Sequence, residues 1–421
     1  MSGAEVHVVS KHDHTKYATT TSPLDLPLLS PSSVRIRTSL ITLTKNNLAY
    51  AVRGGVLGWW HAFPVPASLA PPYNNADDWC IVPAWGIAEV IESNVDDISK
   101  GSRLYGLIPL SSYQHDLTLV RTETAGHFRE ISEHRKPLMN LYNRFILISE
   151  VLKPRVDDWF VAAFTGFGSG HLLNRFVLPF DPHFKPIHPL GRGAGKWDRE
   201  DADLTSTVVV GLSTSSKTGR MFSWSLTQDR DSQNLPLGYL QLSTASEASI
   251  MGGQSAFPIK SMSYSDLASS EAPNWLAALQ PTRVLLIDFG ARDGIIERFL
   301  GSVSPVLPKT TSFTILALAT KREIIQNPDP VAKEHLVKRQ SLDVIQVNHS
   351  GIQDSAIEDV GVASVYEDWK AGFDRWVEAD GAKTLELAKG SGIGGENGVE
   401  KSWEDLVCGR ISSQKALIFH I

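Results

Sequence analysis

A stretch rich in glycine, hydroxyl residues and lysine lies at positions 211–219, near the middle of the chain. It consists of Gly-Leu-Ser-Thr-Ser-Ser-Lys-Thr-Gly and follows the apolar run 207–211, which is typical of a buried parallel strand. A strand, a turn and then a helix would bring free backbone N–H groups to the positive end of the helix dipole, an arrangement that favours a phosphate. The residues predicted to bind this anion are Gly211, Ser213, Ser215, Ser216, Lys217 and Thr218.

The segment 211–219 has three interpretations. One is a dinucleotide-binding loop for NADP(H), in which hydroxyl residues replace the glycines of the absent G-x-G-x-x-G fingerprint. Another is a degenerate P-loop, in which Ser216 replaces the glycine before Lys217 and the strand 284–288 supplies an acid for Mg²⁺. The third is a helix whose Ser and Thr residues only cap its first turn.

Residues at the ends of the neighbouring predicted strands bear on the choice of coenzyme. Ser243 and Thr244 follow the strand 238–242, where NAD enzymes carry an Asp or Glu that binds the ribose 2′-hydroxyl. Hydroxyl groups are more compatible with a 2′-phosphate, so NADP(H) is predicted as the cofactor. Asp288 ends the strand 283–288 and is predicted either to line the nicotinamide side or to close the strand.

Candidates for substrate chemistry lie in the first third of the chain. Tyr50 is the predicted proton donor, because a phenol can hydrogen-bond to a developing oxyanion and protonate it. Asn46 and Asn47 are predicted to orient the substrate or the coenzyme amide, with a turn or a helix cap as the alternative. The residues predicted to line a cleft for an apolar substrate are Trp59, Trp60, His61, Tyr142 and Arg144. The alternatives for them are core packing and surface ion pairs.

The elements that must position these residues change character along the chain. Short strands at 33–38, 85–92 and 102–107, joined by turns, predict a small barrel. Helical pieces are predicted within 138–173, a surface loop at 181–204 and a flexible loop at 390–398. From residue 207 onwards strands alternate with helices, which predicts a parallel sheet covered by helices. The strands are predicted at 207–211, 238–242, 283–288, 312–318 and 415–421, and the helices at 217–226, 275–279, 294–300 and 363–377.

Length and composition set the broad class. A chain of 421 residues with 42% hydrophobic and 20% charged residues is expected to form two globular domains. The net charge of -6 does not indicate the basic surface that a nucleic-acid-binding protein needs. Cys80 and Cys408 form neither a disulfide framework nor a C-x-x-C pair, so no metal is predicted. No signal pattern and no apolar stretch of membrane-spanning length is present, so a cytoplasmic protein without a membrane partner is expected.

The segment 46–55 resembles the N-x-x-D-x-x-x-R-x-G segment of zinc-free quinone oxidoreductases of the medium-chain dehydrogenase/reductase superfamily. Asn46, Arg53 and Gly55 match, and Ala49 replaces the Asp. A closer resemblance is to the DUF2855 branch of that superfamily, and it is carried by the segments 43–51, 83–88, 142–144 and 213–218.

The resemblance implies an α/β protein with a GroES-like β-barrel domain and a Rossmann-like doubly wound parallel-sheet domain. The predicted domains are residues 1–150, to which the C-terminal segment 402–421 returns, and residues 151–401. Many members of the superfamily dimerise, so a homodimer is an expectation.

For chemistry, the resemblance implies zinc-independent hydride transfer from NADPH to a carbonyl or activated C=C of an apolar, conjugated small molecule. A role in fungal secondary metabolism fits the branch. A second hypothesis is a non-redox enzyme on the same fold (an isomerase, lyase or cyclase), because the glycine fingerprint and the acid at Ala49 are lost. A third is a non-catalytic, nucleotide-sensing protein. Binding and consumption of NADPH discriminate among them, since one fold carries many chemistries.

Overall fold

The structure is a computed structural model that describes residues 3–23, 26–148, 154–230, 234–244, 255–292, 294–318, 344–379 and 381–421. The chain divides into two compact units. The first unit is Met1–Thr165 with Leu385–Ile421, and the second is Gly166–Thr384. None of the helices in the described residues is both long and apolar enough to cross a membrane.

Strands occur in both units. The strands in chain order are β1 (Ala4–Ser10), β2 (Tyr17–Ser22), β3 (Ser33–Leu43), β4 (Trp79–Cys80), β5 (Pro83–Ser93), β6 (Arg103–Pro109), β7 (His115–Arg121), β8 (His127–Glu130), β9 (Arg144–Ile148), β10 (Thr207–Leu212), β11 (Gly238–Ser243), β12 (Ile259–Ser263), β13 (Arg283–Asp288), β14 (Ser312–Ala317), β15 (Val344–Gln346), β16 (Glu386–Ser391) and β17 (Lys415–His420).

Helices occur between most of the strands. The α-helices are α1 (Lys45–Leu57), α2 (Pro154–Leu172), α3 (Arg199–Ala202), α4 (Lys217–Gln228), α5 (Glu271–Leu279), α6 (Ile295–Val303), α7 (His349–Val360), α8 (Val362–Glu378) and α9 (Val399–Val407). A π-helical turn, Leu173–Val177, continues α2.

The first unit contains a closed six-stranded β-barrel. Its strands are hydrogen-bonded in the order β3-β5-β6-β9-β8-β7, and β7 pairs back with β3, with Ser33 opposite Thr118. Register shifts in β3 beside β5 are irregularities of the kind that bend a strand as a barrel requires. The other half of β3 pairs with β17, and β16 lies parallel to β17. A smaller sheet of order β2-β1-β4 completes the strand pairing of this unit.

The second unit is built on a six-stranded parallel sheet of order β12-β11-β10-β13-β14-β15. Numbered along the chain this is the order 3-2-1-4-5-6, which is that of the dinucleotide-binding Rossmann fold. Because side chains alternate between the faces of a sheet, each face needs its own cover. Val208 and Val210 pack with Phe299 of α6 on one face, and Tyr239 contacts Phe222 of α4 on the other.

The barrel and the helix-covered parallel sheet confirm the predicted α/β fold class. The strand predicted at 283–288 is β13, residue for residue. The predicted strands at 207–211, 238–242 and 312–318 differ from β10, β11 and β14 by a single residue at one end.

Three predictions from the sequence are confirmed only in part. The segment 138–173, predicted as helical pieces, also contains the strand β9, which completes the barrel. The predicted flexible loop at 390–398 begins inside β16, and the N–H of Gly394 donates to the Glu5 carboxylate. The predicted surface loop at 181–204 contains the helix α3 and buries Ile187 and Trp197.

Candidate functional site

The loop between β10 and α4 lies at the carboxyl end of the central strand. In an open sheet of this order, ligands bind in the crevice outside the strand ends at the point where the strand order reverses, which here lies between β10 and β13. Ser213 opens the loop in a left-handed conformation, with φ 58°, which is uncommon for a residue other than glycine. The helix α4 begins at Lys217, directly after this loop, so the N-terminus of α4 lies at the crevice.

This helix N-terminus keeps hydrogen-bond donors available. Ser216 is the N-cap, and its hydroxyl accepts the N–H of Gly219 at 3.1 Å. Among the described residues, no acceptor is hydrogen-bonded to the backbone N–H groups of Ser215, Lys217 and Thr218. Unsatisfied N–H groups at the positive end of a helix form a binding site for an anion.

Lys217 adds a full positive charge to these donors. The side chain is half-buried, and none of the residues in the described parts forms an ion pair with it. Burial lowers the pKa of Lys217 to about 8. An ammonium group that is shielded from water without a counter-charge is stabilised by any anion that binds beside it.

Two glycines allow the loop to lie close to its surroundings. A Cβ at Gly211 would lie 2.5 Å from the Thr214 side chain and 2.7 Å from the Tyr239 hydroxyl. A Cβ at Gly219 would lie 2.8 Å from the Ser213 carbonyl oxygen. Gly219 therefore lets the first turn of α4 pack directly on the loop, as the last glycine of dinucleotide-binding loops does.

Tyr264 is a member of this site that the sequence reasoning missed. It directly follows β12, and its hydroxyl accepts the N–H of Ser213 at 2.6 Å and lies 3.1 Å from the Ser213 hydroxyl. Burial raises the pKa of Tyr264, so the phenol stays protonated. No strand was predicted from the sequence at 259–263. The signal that marks Tyr264, its position at the carboxyl end of a parallel strand, was therefore missing.

The other residues predicted to bind coenzyme lie at the same edge of the sheet. Ser243 is buried at the tip of β11, and Thr244 after it is exposed. Asp288 is fully buried, and one of its carboxylate oxygens accepts the N–H groups of Gly290 and Ala291 at 2.9 and 2.6 Å. Asp288 thus closes the turn after β13, which is one of the two roles predicted for it.

A buried aromatic cluster in the first unit brings several predicted substrate residues together. Tyr50 of α1 lies 4.5 Å from Trp59 and 6.0 Å from Tyr142, measured between ring centroids. The Tyr50 hydroxyl accepts the indole N–H of Trp85 at 3.3 Å and hydrogen-bonds with Tyr142. Burial raises the pKa of Tyr50 to about 12, so the hydroxyl is a neutral donor.

The remaining predicted residues of the first unit are Asn46, Asn47, Trp60, His61 and Arg144. Asn47 completes a capping box with Thr44 and also donates to the Pro83 carbonyl, which engages both ends of its amide. Asn46 and His61 are exposed. The Trp60 indole donates to the Ala51 carbonyl, and Arg144 begins β9.

Arg135 is a buried residue that supports the aromatic cluster, and it was not predicted from the sequence. Its guanidinium donates to the Ala62 and Tyr142 carbonyls at 3.1 and 2.7 Å and to the Asn143 side chain. Glu130 lies 3.4 Å away and supplies the counter-charge. Arg135 therefore ties the segment after Trp59 to the backbone of Tyr142.

A metal site was not predicted from the sequence. In the parts of the chain that the structure describes, no group of at least three His, Cys, Asp or Glu side chains is placed to hold a metal ion. The donors at the two sites above are hydroxyl groups, backbone N–H groups and one ammonium group. These groups suit an oxyanion or a carbonyl oxygen.

Comparison with solved structures identifies proteins of the same fold. A mutant form of enoyl thioester reductase from Candida tropicalis has a TM-score of 0.54 at 10% identity, over 100% of both chains. CurA from Vibrio vulnificus in complex with NADPH has a TM-score of 0.50 at 11% identity, over 96% of this chain and 94% of that chain. The Etr1p/NADP/crotonyl-CoA complex has a TM-score of 0.53 at 10% identity, over 100% of both chains. At these identities the likeness concerns the fold alone.

A search of curated proteins finds no match. The family model described as a protein of unknown function, DUF2855, matches residues 41–412, and the chain therefore belongs to the DUF2855 family.

Proposed function

We propose that this protein is an NADPH-dependent oxidoreductase of the medium-chain reductase type. The observation that carries the proposal is the loop 213–218. There the half-buried Lys217 and three backbone N–H groups, none of them paired with a residue that the structure describes, meet at the N-terminus of α4. The proteins of the same fold support it, because they include an enoyl thioester reductase and complexes with NADPH and NADP.

The loop 213–218 is proposed to hold the phosphates of the coenzyme. The N–H groups of Ser215, Lys217 and Thr218 would donate to phosphate oxygens, and Lys217 would neutralise their charge. Preference for NADPH over NADH rests on the end of β11, where Ser243 and Thr244 stand in place of the acid that binds a free 2′-hydroxyl. Bound NADPH would supply the hydride.

The substrate is proposed to be an apolar, conjugated small molecule with a carbonyl or an activated C=C. Trp59 and Tyr142 would form an apolar wall, and the Tyr50 hydroxyl would hydrogen-bond to the substrate oxygen. Tyr50 suits this role because hydrogen bonds with Trp85 and Tyr142 hold its hydroxyl in a defined position. Asn47 is not part of the proposal, since its amide caps α1.

The proposal is tested by titrating the purified protein with NADPH and with NADH and following tryptophan fluorescence. We expect NADPH to bind more tightly than NADH. Lys217→Ala should weaken NADPH binding by about tenfold or more, because it removes a charged contact to phosphate. Lys196→Ala is the matched control, since Lys196 is an exposed lysine of the same unit that pairs with Asp198. Failure of both nucleotides to bind would contradict the proposal.

One observation favours a second candidate, a non-redox enzyme such as an isomerase, lyase or cyclase. The Tyr264 hydroxyl already occupies the Ser213 N–H, and Ser213, Ser216 and Lys217 carry side chains in a loop that dinucleotide enzymes keep rich in glycine. Incubation with NADPH and a panel of enones and quinones separates the two. Loss of NADPH absorbance at 340 nm, a standard coenzyme wavelength, supports the reductase, and tight binding without consumption favours the second candidate.

A further inference from the structure

A polar cavity in the second unit is lined by residues from three helical elements. Its volume is about 190 Å³, which is enough to hold several water molecules. The ionisable residues in its wall are His171, Arg175, Asp229, Asp368 and Arg375. The loop 213–218 lies at the other end of α4 from Asp229, so the cavity is separate from the proposed coenzyme site.

His171 of α2 lies between two carboxylates that belong to different elements. Nε2 of His171 is 3.1 Å from a carboxylate oxygen of Asp368 in α8, which is a hydrogen-bond distance. Nδ1 is 3.6 Å from a carboxylate oxygen of Asp229, the residue that follows α4. The side chains of His171 and Asp229 are only 3% and 7% exposed, so solvent screens their interaction little.

The position of a carboxylate beside each ring nitrogen determines which form of His171 fits. A neutral imidazole has an N–H on one nitrogen and a lone pair on the other, whereas an imidazolium donates from both. A neutral ring would therefore direct its lone pair at a negatively charged oxygen, and only the imidazolium satisfies Asp229 and Asp368 together. Burial would lower the pKa of His171, but the two carboxylates outweigh burial and raise the pKa above its ordinary value of 6.5.

Two arginines are the other charged groups at this contact. Nε of Arg175, in the π-helical turn after α2, donates to Asp368 at 3.1 Å. Nε of Arg375 in α8 donates to Asp229 at 2.9 Å. A carboxylate that is paired with an arginine stays ionised, so His171 is the group at this contact that changes its charge near neutral pH.

α8 packs closely over the contact between His171 and Asp229, because Gly372 has no side chain. A Cβ at Gly372 would lie 3.2 Å from Nδ1 of His171 and 3.3 Å from the Asp229 carboxylate. The His171 ring also stacks on Phe167, with 5.7 Å between the ring centroids. Because this packing restricts rotation of the ring, loss of its proton is relieved by separation of the elements. Water in the cavity gives protons access to the ring.

We propose that His171 is a pH-sensitive clamp within the second unit. As an imidazolium it joins Asp229 at the end of α4 to Asp368 of α8, and deprotonation releases Asp229. Asp229 is the contact that is lost, because the shorter contact, to Asp368, retains the remaining proton. The folded protein binds the second proton more tightly than the unfolded chain. The clamp is therefore strongest below pH 6.5 and weakens as the pH rises through the raised pKa of His171.

The test is hydrogen–deuterium exchange at about pH 6, 7 and 8, measured by mass spectrometry on peptides from the end of α4 and corrected for the intrinsic exchange rate. Between pH 6.5 and the raised pKa of His171, we expect the protection factor of these amides to fall. The fall should be as much as about tenfold per pH unit, the effect of one proton. Peptides from β13 should keep a constant protection factor, which separates opening at α4 from unfolding of the whole unit.

Variants assign this response to His171. In His171→Gln the side chain cannot change its charge, so protection at the end of α4 should be lower than in the wild type at pH 6, near the ordinary pKa of histidine, and independent of pH. Asp229→Asn removes the charged acceptor and should flatten the same dependence. His183→Gln is the control, since His183 is an exposed histidine of the same unit, and it should retain the wild-type dependence.

The proposal is overturned if protection at the end of α4 does not change with pH in the wild type, or if His171→Gln retains the change. Should His171→Gln fail to fold, Asp229→Asn decides, and an unaltered pH dependence in that variant overturns the proposal.

Discussion

The hydroxyl of Tyr264 accepts the Ser213 N–H, and its own proton can be donated either to the Ser213 hydroxyl or to a ligand in the crevice. A buried tyrosine in this position assists an anion by donating a hydrogen bond to one of its oxygens. The same hydroxyl hinders the anion if the ligand needs the Ser213 N–H for itself. The contact distances of 2.6 and 3.1 Å to Ser213 are compatible with either role, and substitution separates them.

We expect Tyr264→Phe to weaken NADPH binding by about three- to tenfold, because it removes one neutral hydrogen bond to the coenzyme. The measurement is the fluorescence titration used for Lys217→Ala. Tyr366→Phe is the matched control, since Tyr366 is another buried tyrosine of the second unit whose hydroxyl accepts a side-chain N–H, that of Gln353. Tighter NADPH binding by Tyr264→Phe would instead identify the hydroxyl as an obstacle.

The type of a residue does not by itself distinguish a catalytic side chain from a structural one. Asn47 and Tyr50 both have side chains that suit catalysis, but Asn47 satisfies the first turn of α1 and a strand carbonyl. A capping box requires a defined backbone conformation at Thr44, and the prediction from the sequence left open both a cap and a substrate contact for Asn47. Arg135 was missed for a related reason. Its structural role depends on the carbonyl groups that its guanidinium contacts, and one of them, that of Ala62, is 73 residues away in the sequence.

At the scale of elements, the sequence predicts the central strands of the parallel sheet but misses several shorter strands. β10 and β13 are continuous apolar runs in a parallel sheet, and both were predicted to within one residue. β7 alternates buried and exposed residues, but it contains His115 and Asp116, whose polarity hid the pattern. β9 is short and largely apolar, and short apolar runs do not distinguish a strand from a helix.

The packing of α4 on its loop gives a prediction at this scale. In Gly219→Ala the new Cβ would lie 2.8 Å from the Ser213 carbonyl oxygen and 2.8 Å from the Thr214 Cα, both backbone atoms that cannot easily move away. We expect a loss of about 1–3 kcal/mol in the free energy of unfolding, as for other overpacking substitutions. NADPH binding should also weaken, since the loop and the helix N-terminus would separate.

Gly301→Ala is the matched control for Gly219→Ala. Gly301 lies within α6, and a Cβ there would have no atom within 4 Å. This substitution should stabilise the protein by about 0.5–1 kcal/mol, because alanine has the higher helix propensity. Urea unfolding measures both variants. Equal stability of the two variants would show that α4 does not rest on Gly219.

At the scale of the whole molecule, the order of the strands in each sheet follows from long-range pairing that local sequence patterns do not encode. Closure of the barrel requires Ser33 to pair with Thr118, more than 80 residues away. The return of the C-terminus to β3 brings Leu417 opposite Leu43. Alternation of strands and helices predicted the parallel sheet, but the barrel was inferred from strand length and turns together with family resemblance.

Buried histidines in the first unit make the stability of the molecule dependent on pH. His7 is fully buried between Tyr17 and Trp403, and His115 is buried beside Phe63 and Tyr113. Burial lowers the pKa of each to about 3, from an ordinary value of 6.5. Below pH 6.5 the unfolded chain therefore binds protons that the folded chain excludes. Stability must fall as the pH decreases from 6.5 towards 3.

We expect His7→Phe to reduce this acid sensitivity. Phenylalanine keeps an aromatic ring between Tyr17 and Trp403 but cannot be protonated in the unfolded state. Between pH 5.5 and 4.5 the free energy of unfolding should therefore fall less steeply in the variant, by about 1.4 kcal/mol per pH unit, the contribution of one proton. Urea unfolding at several pH values, followed by tryptophan fluorescence, gives the slope. The exposed His61→Asn should keep the wild-type slope, and an unchanged slope in His7→Phe would mean that His7 is protonated in the folded protein.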